Sequence, residues 1–154
     1  MNQRRLSQLR VEYSGTPLSE RDAGTDPLGL FDLWFQQISQ MGIAEPNAMA
    51  LATSTPSGSP SVRTVLLKGM APQGAECYTN YESRKGRELS ENSRAAAVML
   101  WHEAGRQVRF EGEVIRLSEQ ESDDYFASRP LGSRISAVAS PQSRAVADRA
   151  ELED

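Results

Sequence analysis

From residue 26 onward the hydrophobic positions follow two regimes. Asp26 supplies a helix cap with Pro27 at the first helical position, and Leu28, Phe31, Trp34 or Phe35, Ile38 and Met41 recur at steps of three and four. That spacing predicts an amphipathic helix ending near Gly42. From Ala48 the period shortens: residues 48–54, 61–69, 75–79, 95–101 and 106–117 are rich in β-formers or partly alternate, and Pro56-Ser57-Gly58 and Pro72-Gln73-Gly74 read as turns between the first three. Five strands at hairpin spacing predict an antiparallel barrel. A polar helix is expected between the third and fourth strands, with Ser83 as its cap and Asn92 near its end. Ser118 and Glu121 form a capping-box pattern that opens another helix, which must stop by Arg129 because Pro130 disfavours helical geometry in the residue before it.

The ends read differently. Residues 4–13 suggest a short charged helix, and Ser14 to Thr25, with Gly15, Pro17 and Gly24, a mobile connection, so residues 1–25 are expected to form an arm outside a single domain over 26–154. Residues 144–154 look helical from their Ala, Leu, Arg and Glu content. No glycine cap, strand or hydrophobic closure follows them, and this points to a sequence shortened at its C-terminus.

Composition narrows the function classes. At 154 residues, 38% hydrophobic and 25% charged, the chain has the make-up of one soluble globular domain. Its longest apolar run, Ala95 to Trp101, is too short to span a bilayer, and no apolar stretch follows the N-terminal arginines as a secretory signal would require. A cytoplasmic protein with no membrane partner is the resulting expectation. A net charge of −4 argues against nucleic acid as a partner. The basic residues are nevertheless clustered: Arg63, Lys68, Arg84, Lys85 and Arg87 lie close together in sequence, which suits a small anion. One cysteine, Cys77, and one histidine, His102, exclude a Cys/His zinc site within the chain, so no metal is expected and redox chemistry would need an organic cofactor.

Three segments could hold an anion. Arg63-Thr64-Val65-Leu66-Leu67-Lys68 is a strand flanked by cations able to contact phosphate, although positions 63 and 68 point to opposite faces of a regular strand. Taken alone it reads more simply as a surface strand with solvated ends. Tyr78-Thr79-Asn80 leads into Ser83-Arg84-Lys85-Gly86, where backbone N–H groups at a helix start meet two cations; positive residues there oppose the helix dipole unless an anion is bound. Tyr125 and Arg129 are four apart on one helix face with Ser133 just beyond, a grouping that could grip a second phosphate or be an ordinary stacked surface pair. Gln107 and Gln142-Ser143 offer neutral groups for a heteroaromatic ring edge.

In identity, order and spacing these segments resemble the pyridoxamine 5′-phosphate oxidase family. The likeness is carried by Leu9-Arg10-Val11-Glu12-Tyr13, Asp26-Pro27-Leu28, Arg63 to Lys68, Tyr78-Thr79-Asn80, Ser83-Arg84-Lys85, Arg106-Gln107-Val108, Tyr125 to Pro130, Ser133 and Ser140-Pro141-Gln142-Ser143. The resemblance implies a mainly β protein with flanking helices (α+β), an FMN-binding split β-barrel, working as a homodimer with the flavin in clefts at the subunit interface. It implies that Arg63, Thr64, Val65, Leu66, Leu67, Lys68, Tyr78, Thr79, Arg84, Lys85, Gln107, Gln142 and Ser143 hold FMN. Lys68, Tyr125, Arg129 and Ser133 would hold the phosphate of a B6 vitamer, with Arg10, Val11, Glu12 and Tyr13 folding over it as a lid. No catalytic acid–base pair is assigned.

The implied reaction is FMN-dependent oxidation of pyridoxamine or pyridoxine 5′-phosphate to pyridoxal 5′-phosphate, with oxygen as acceptor. The family continues into strands bearing a Trp and an Arg for FMN and an Arg-x-His pair over the substrate, none of which this sequence contains. That departure leaves open a non-catalytic split-barrel protein that binds FMN or pyridoxal 5′-phosphate. A flavin enzyme acting on another amine or heterocycle is also open, since one fold hosts several activities.

Overall fold

The computed structural model describes residues 17–146 and 148. Its elements run α1 (Glu20–Ala23), α2 (Pro27–Gln40), β1 (Ala48–Ser54), β2 (Pro60–Leu66), β3 (Gly69–Ala71), β4 (Gly74–Glu76), α3 (Arg84–Glu91), β5 (Arg94–Trp101), β6 (Arg106–Glu113), α4 (Glu119–Ser128) and α5 (Leu131–Ala139). They fall into two compact units, one reaching to Pro46 and taking in Leu100–Val108, the other comprising Asn47–Met99 and the residues from Arg109.

In the first unit α2 begins where its sequence dictates. The Asp26 carboxylate accepts from the Leu28 N–H at 3.1 Å, and Pro27 occupies the first turn, where its missing N–H leaves nothing unpaired. Phe31 and Ile38, two turns apart, are buried. Phe31 and Phe35 stack on each other and both rings meet Trp101 at about 6 Å between centroids. The Trp101 indole donates to Pro46 O at 2.8 Å, so the buried ring leaves no polar atom unpaired. Gly42, at φ 69°, takes the left-handed geometry that ends the helix.

In the second unit β1 alternates strictly, with Met49, Leu51 and Thr53 buried. It pairs antiparallel with β2 from Ala48↔Leu66 to Ser54↔Pro60, and with β5 from Ala50↔Val98 to Thr53↔Ala95. The sheet order is β2-β1-β5-β6, and β3 and β4 form a separate hairpin about Pro72-Gln73. Helix α4 carries the full capping box, with the Ser118 hydroxyl and the Glu121 carboxylate each meeting the other's backbone N–H.

The expected antiparallel strands are present with different boundaries. The strand expected over 61–69 stops at Leu66, because the Leu67 N–H turns to Asn47 O and the Lys68 N–H to Glu76 O; the chain then re-enters pairing as β3. The strand expected over 75–79 ends at Glu76, and that over 106–117 at Glu113. Among the described strands the four-stranded sheet has β2 and β6 at its edges, an antiparallel arrangement in keeping with the expected split barrel. The connection over 14–25 contains a helical turn, α1, capped by Ser19. Helix α5 had no counterpart in the sequence reading. Arg144–Val146 are not helical, contrary to expectation; the remainder of that segment except Asp148, and the helix expected over 4–13, lie outside the described residues. Among the described residues no helix is long and apolar enough to cross a membrane.

Candidate functional site

The start of α3 is built around Ser83, which is fully buried. Its hydroxyl donates to Asn80 O at 2.6 Å and accepts from the Gly86 N–H at 3.3 Å and the Lys85 ammonium at 3.2 Å. Gly86 is required here: a Cβ would stand 2.2 Å from Tyr81 O, a backbone atom that cannot swing away. Lys85 is nearly buried at 7% exposure, and its second partner is Gln142 Oε1 at 2.7 Å. Both partners are neutral, and among the described residues no carboxylate pairs with this ammonium. Burial, then the neighbouring Arg63 charge, push the Lys85 pKa below its usual range, against a smaller opposing effect of Cys77. Burial pushes the Cys77 thiol up, with Lys85 opposing, so that thiol is not primed for chemistry.

Arg63 projects from β2 into a polar knot. One terminal nitrogen donates to Leu51 O at 3.0 Å and Thr53 Oγ1 at 2.7 Å; the other donates to Ser61 Oγ at 2.5 Å and Glu88 Oε2 at 3.4 Å. Glu88, buried on α3, accepts from Thr53 and Ser61 at 2.5 Å each and, through Oε1, from Arg84 Nε at 2.8 Å. Hydrogen bonds from Ser61 and Thr53, with a smaller contribution from Arg84, hold the Glu88 pKa down to about 2 despite burial. Glu88, Thr53 and Ser61 were missed in the sequence. The only local signal was the four-residue Arg84–Glu88 spacing, which ordinarily marks a solvated pair.

The expected cofactor and substrate residues meet at one point through aromatic rings. Tyr78 and Tyr125 stack with centroids 3.6 Å apart and planes 9° from parallel. Burial, then Glu76, Glu121 and Tyr125, raise the Tyr78 pKa, keeping its phenol protonated. Thr79 Oγ1 lies 3.5 Å from Gln142 Oε1 and thus beside Lys85. Ser143 adopts φ 65°, unusual for a residue with a side chain, and Arg144 pairs with Glu82 at 2.7 Å. Asn80, Glu82, Ser140, Gln142 and Arg144 line much of a cavity of about 270 Å³ there.

The remaining residues are not drawn into this cluster. Thr64 is exposed, Val65 and Leu66 half-buried and Leu67 buried, so what this strand can offer a ligand is largely backbone. Lys68 is exposed just past β2, which answers the strand-parity difficulty because the regular strand has already ended. Arg129 caps the end of α4 with its guanidinium 5.9 Å from the Phe126 ring, and Ser133 lies half-buried on α5. Among the described residues no side-chain hydrogen bond joins Lys68, Arg129 and Ser133. Gln107 is exposed on β6, in the first unit. Arg10, Val11, Glu12 and Tyr13 lie outside the described residues.

A family model described as pyridoxamine 5′-phosphate oxidase matches residues 36–154. A pyridoxine/pyridoxamine 5′-phosphate oxidase of Salinibacter ruber is 50% identical over 150 residues, 97% of this chain and 70% of that protein. The crystal structure of PhzG from Burkholderia lata 383, in complex with tetrahydrophenazine-1-carboxylic acid, matches with a TM-score of 0.84 at 32% identity, over 90% of this chain and 69% of that one. A pyridoxamine 5′-phosphate oxidase-related, FMN-binding protein from Nostoc punctiforme shares the fold alone, at TM-score 0.67 and 15% identity over 85% of this chain and 73% of that one. An antiparallel sheet with flanking helices and these neighbours define a protein of the split-barrel class. Within that class, the extent and identity of the sequence match show that the chain belongs to the pyridoxamine 5′-phosphate oxidase family.

Proposed function

We propose that this chain binds FMN and oxidises pyridoxamine 5′-phosphate or pyridoxine 5′-phosphate to pyridoxal 5′-phosphate, with oxygen as the final acceptor. The observation that carries the reading is Lys85: a nearly buried ammonium with neutral partners only, at a capped helix start beside the Arg63 charge. Such a group calls for an anion, and a phosphate monoester matches the combination of ammonium, hydroxyl and helix N–H donors. When bound, FMN supplies the hydride acceptor that oxygen returns to its oxidised form.

The chain's own residues bind and orient. Lys85 and Arg84 balance the flavin phosphate, with Arg63 adding fixed positive charge nearby. Thr79, Gln142 and Ser143 offer polar contacts, and the backbone from Thr64 to Leu67 offers amides. Lys68, Tyr125, Arg129 and Ser133 would take the phosphate of the B6 vitamer, and the Tyr78–Tyr125 stack ties one residue of each proposed set to the other. A homodimer in the cytoplasm is the assembly and location proposed.

PhzG, held with a tricyclic carboxylate, favours one second reading: a flavin enzyme acting on a heterocyclic acid in place of a phosphorylated vitamer. Aerobic turnover of pyridoxine 5′-phosphate, followed by pyridoxal 5′-phosphate absorbance with FMN added, tests the choice. The expected result is turnover lost on Arg129→Ala. FMN binding with no turnover of either phosphorylated vitamer would replace this reading with a heterocycle oxidase or a simple binding protein, and no FMN binding would end every flavin reading.

A further inference from the structure

Glu88 is a buried acid on a helix whose first turn is basic, and its carboxylate accepts from Thr53, Ser61, Arg63 and Arg84. The Thr53 and Ser61 hydroxyls each have one proton, and each gives it to Glu88 Oε2, an acceptor only. Their lone pairs are therefore what Arg63 meets, at 2.7 and 2.5 Å. With Leu51 O and Glu88 itself, this occupies both terminal nitrogens of the guanidinium and fixes its plane. Arg84 is tied to the same carboxylate by its other oxygen.

We propose that Glu88 is a positioning residue for the anion site: by ordering Thr53 and Ser61 it locks Arg63 in place, and by pairing with Arg84 it sets the second guanidinium at the mouth of the helix. The inference rests on the FMN reading, since the anion concerned is the flavin phosphate. Two effects of removing the Glu88 charge oppose each other. Loss of a negative charge strengthens attraction for an anion, whereas loss of the lock lets Arg63 wander. The Glu88 carboxylate meets Thr53, Ser61, Arg63 and Arg84, whereas the Lys85 ammonium meets Ser83 and Gln142, so Glu88 reaches the site through the two guanidiniums and the lock dominates. A glutamine cannot replace it: its NH2 would face either the Arg84 N–H or the hydroxyl protons, donor against donor.

Flavin fluorescence titrations with FMN and with riboflavin, which lacks the phosphate, test this. Glu88→Gln is expected to raise the FMN Kd about tenfold or more, equivalent to about 1.4 kcal/mol, and to move the riboflavin Kd less than about twofold. In an Arg63→Ala background the same substitution should cost clearly less than it does in the wild type, because only the pairing with Arg84 is then left for Glu88 to act on. Ser61→Ala keeps the carboxylate and removes one relay; it should give a smaller loss, again for FMN and not riboflavin, and it decides the matter should Glu88→Gln not fold. Unchanged or tighter FMN binding, equal losses for the two flavins, or additive effects with Arg63→Ala would overturn the inference alone. A wild-type chain that binds neither flavin would overturn the cofactor reading and this inference together.

Discussion

Burying an ammonium group with no carboxylate beside it works against folding at neutral pH. The folded-state pKa of Lys85 lies below its ordinary 10.5, so between those two values the unfolded chain binds more protons and stability rises with pH. Below that window the full penalty stands. Lys85→Met fills the same space without the charge, and we expect it to stabilise the flavin-free protein on the order of 1 kcal/mol, about 2–4 °C for a chain this size. The gain should shrink as pH is raised toward 10.5, and FMN affinity should fall sharply. Urea midpoints near neutral and alkaline pH, beside a flavin titration, check all three. The sequence displayed Lys85, since its place after Ser83 at a helix start opposes the dipole, but its burial depends on Gln142, 57 positions away. Glu88 was hidden for the same reason: its partners Thr53 and Ser61 sit on β1 and β2, and nothing local marks a carboxylate that strands will cover.

Elements with local start signals were legible, and those defined by tertiary contacts were not. Asp26-Pro27 and Ser118-x-x-Glu121 announced α2 and α4 because their caps are satisfied within a few residues. Helix α5 escaped notice because Leu131–Ala139 is rich in Gly, Ser, Ile and Val, weak helix formers, and begins after a proline with no side-chain cap. The break between β2 and β3 depends on Asn47 and Glu76, far from the apolar run they interrupt. Helix α3 yields the sharpest prediction at this scale. Gly86→Ala places a methyl 2.2 Å from Tyr81 O, so the helix start must move. We expect a loss of about 1–3 kcal/mol in stability together with weakened FMN binding, read by thermal melts with and without the flavin. Alanine's better helix propensity, worth about 1 kcal/mol, would make the same change stabilising if the close approach were absent.

At the scale of the whole molecule the apolar surface is unevenly covered. On α5, Leu131, Ile135 and Val138 are 64%, 59% and 79% exposed at helical spacing, so one face of that helix is left to solvent. The proposed homodimer predicts that charging this face weakens self-association. Sedimentation velocity on Ile135→Asp with Val138→Asp should shift the protein toward monomer while far-UV circular dichroism stays unchanged; an unmoved dimer would place the interface elsewhere. The chain also contains only two lysines, Lys68 and Lys85, against many arginines. One is exposed and the other is nearly buried. An amine-acylating reagent therefore finds two side-chain targets in the entire polypeptide, one at each proposed phosphate, and they react on different clocks. Mass spectrometry of the labelled peptides would time the opening of the Lys85 enclosure directly, with Lys68 as the internal standard and no flavin signal required.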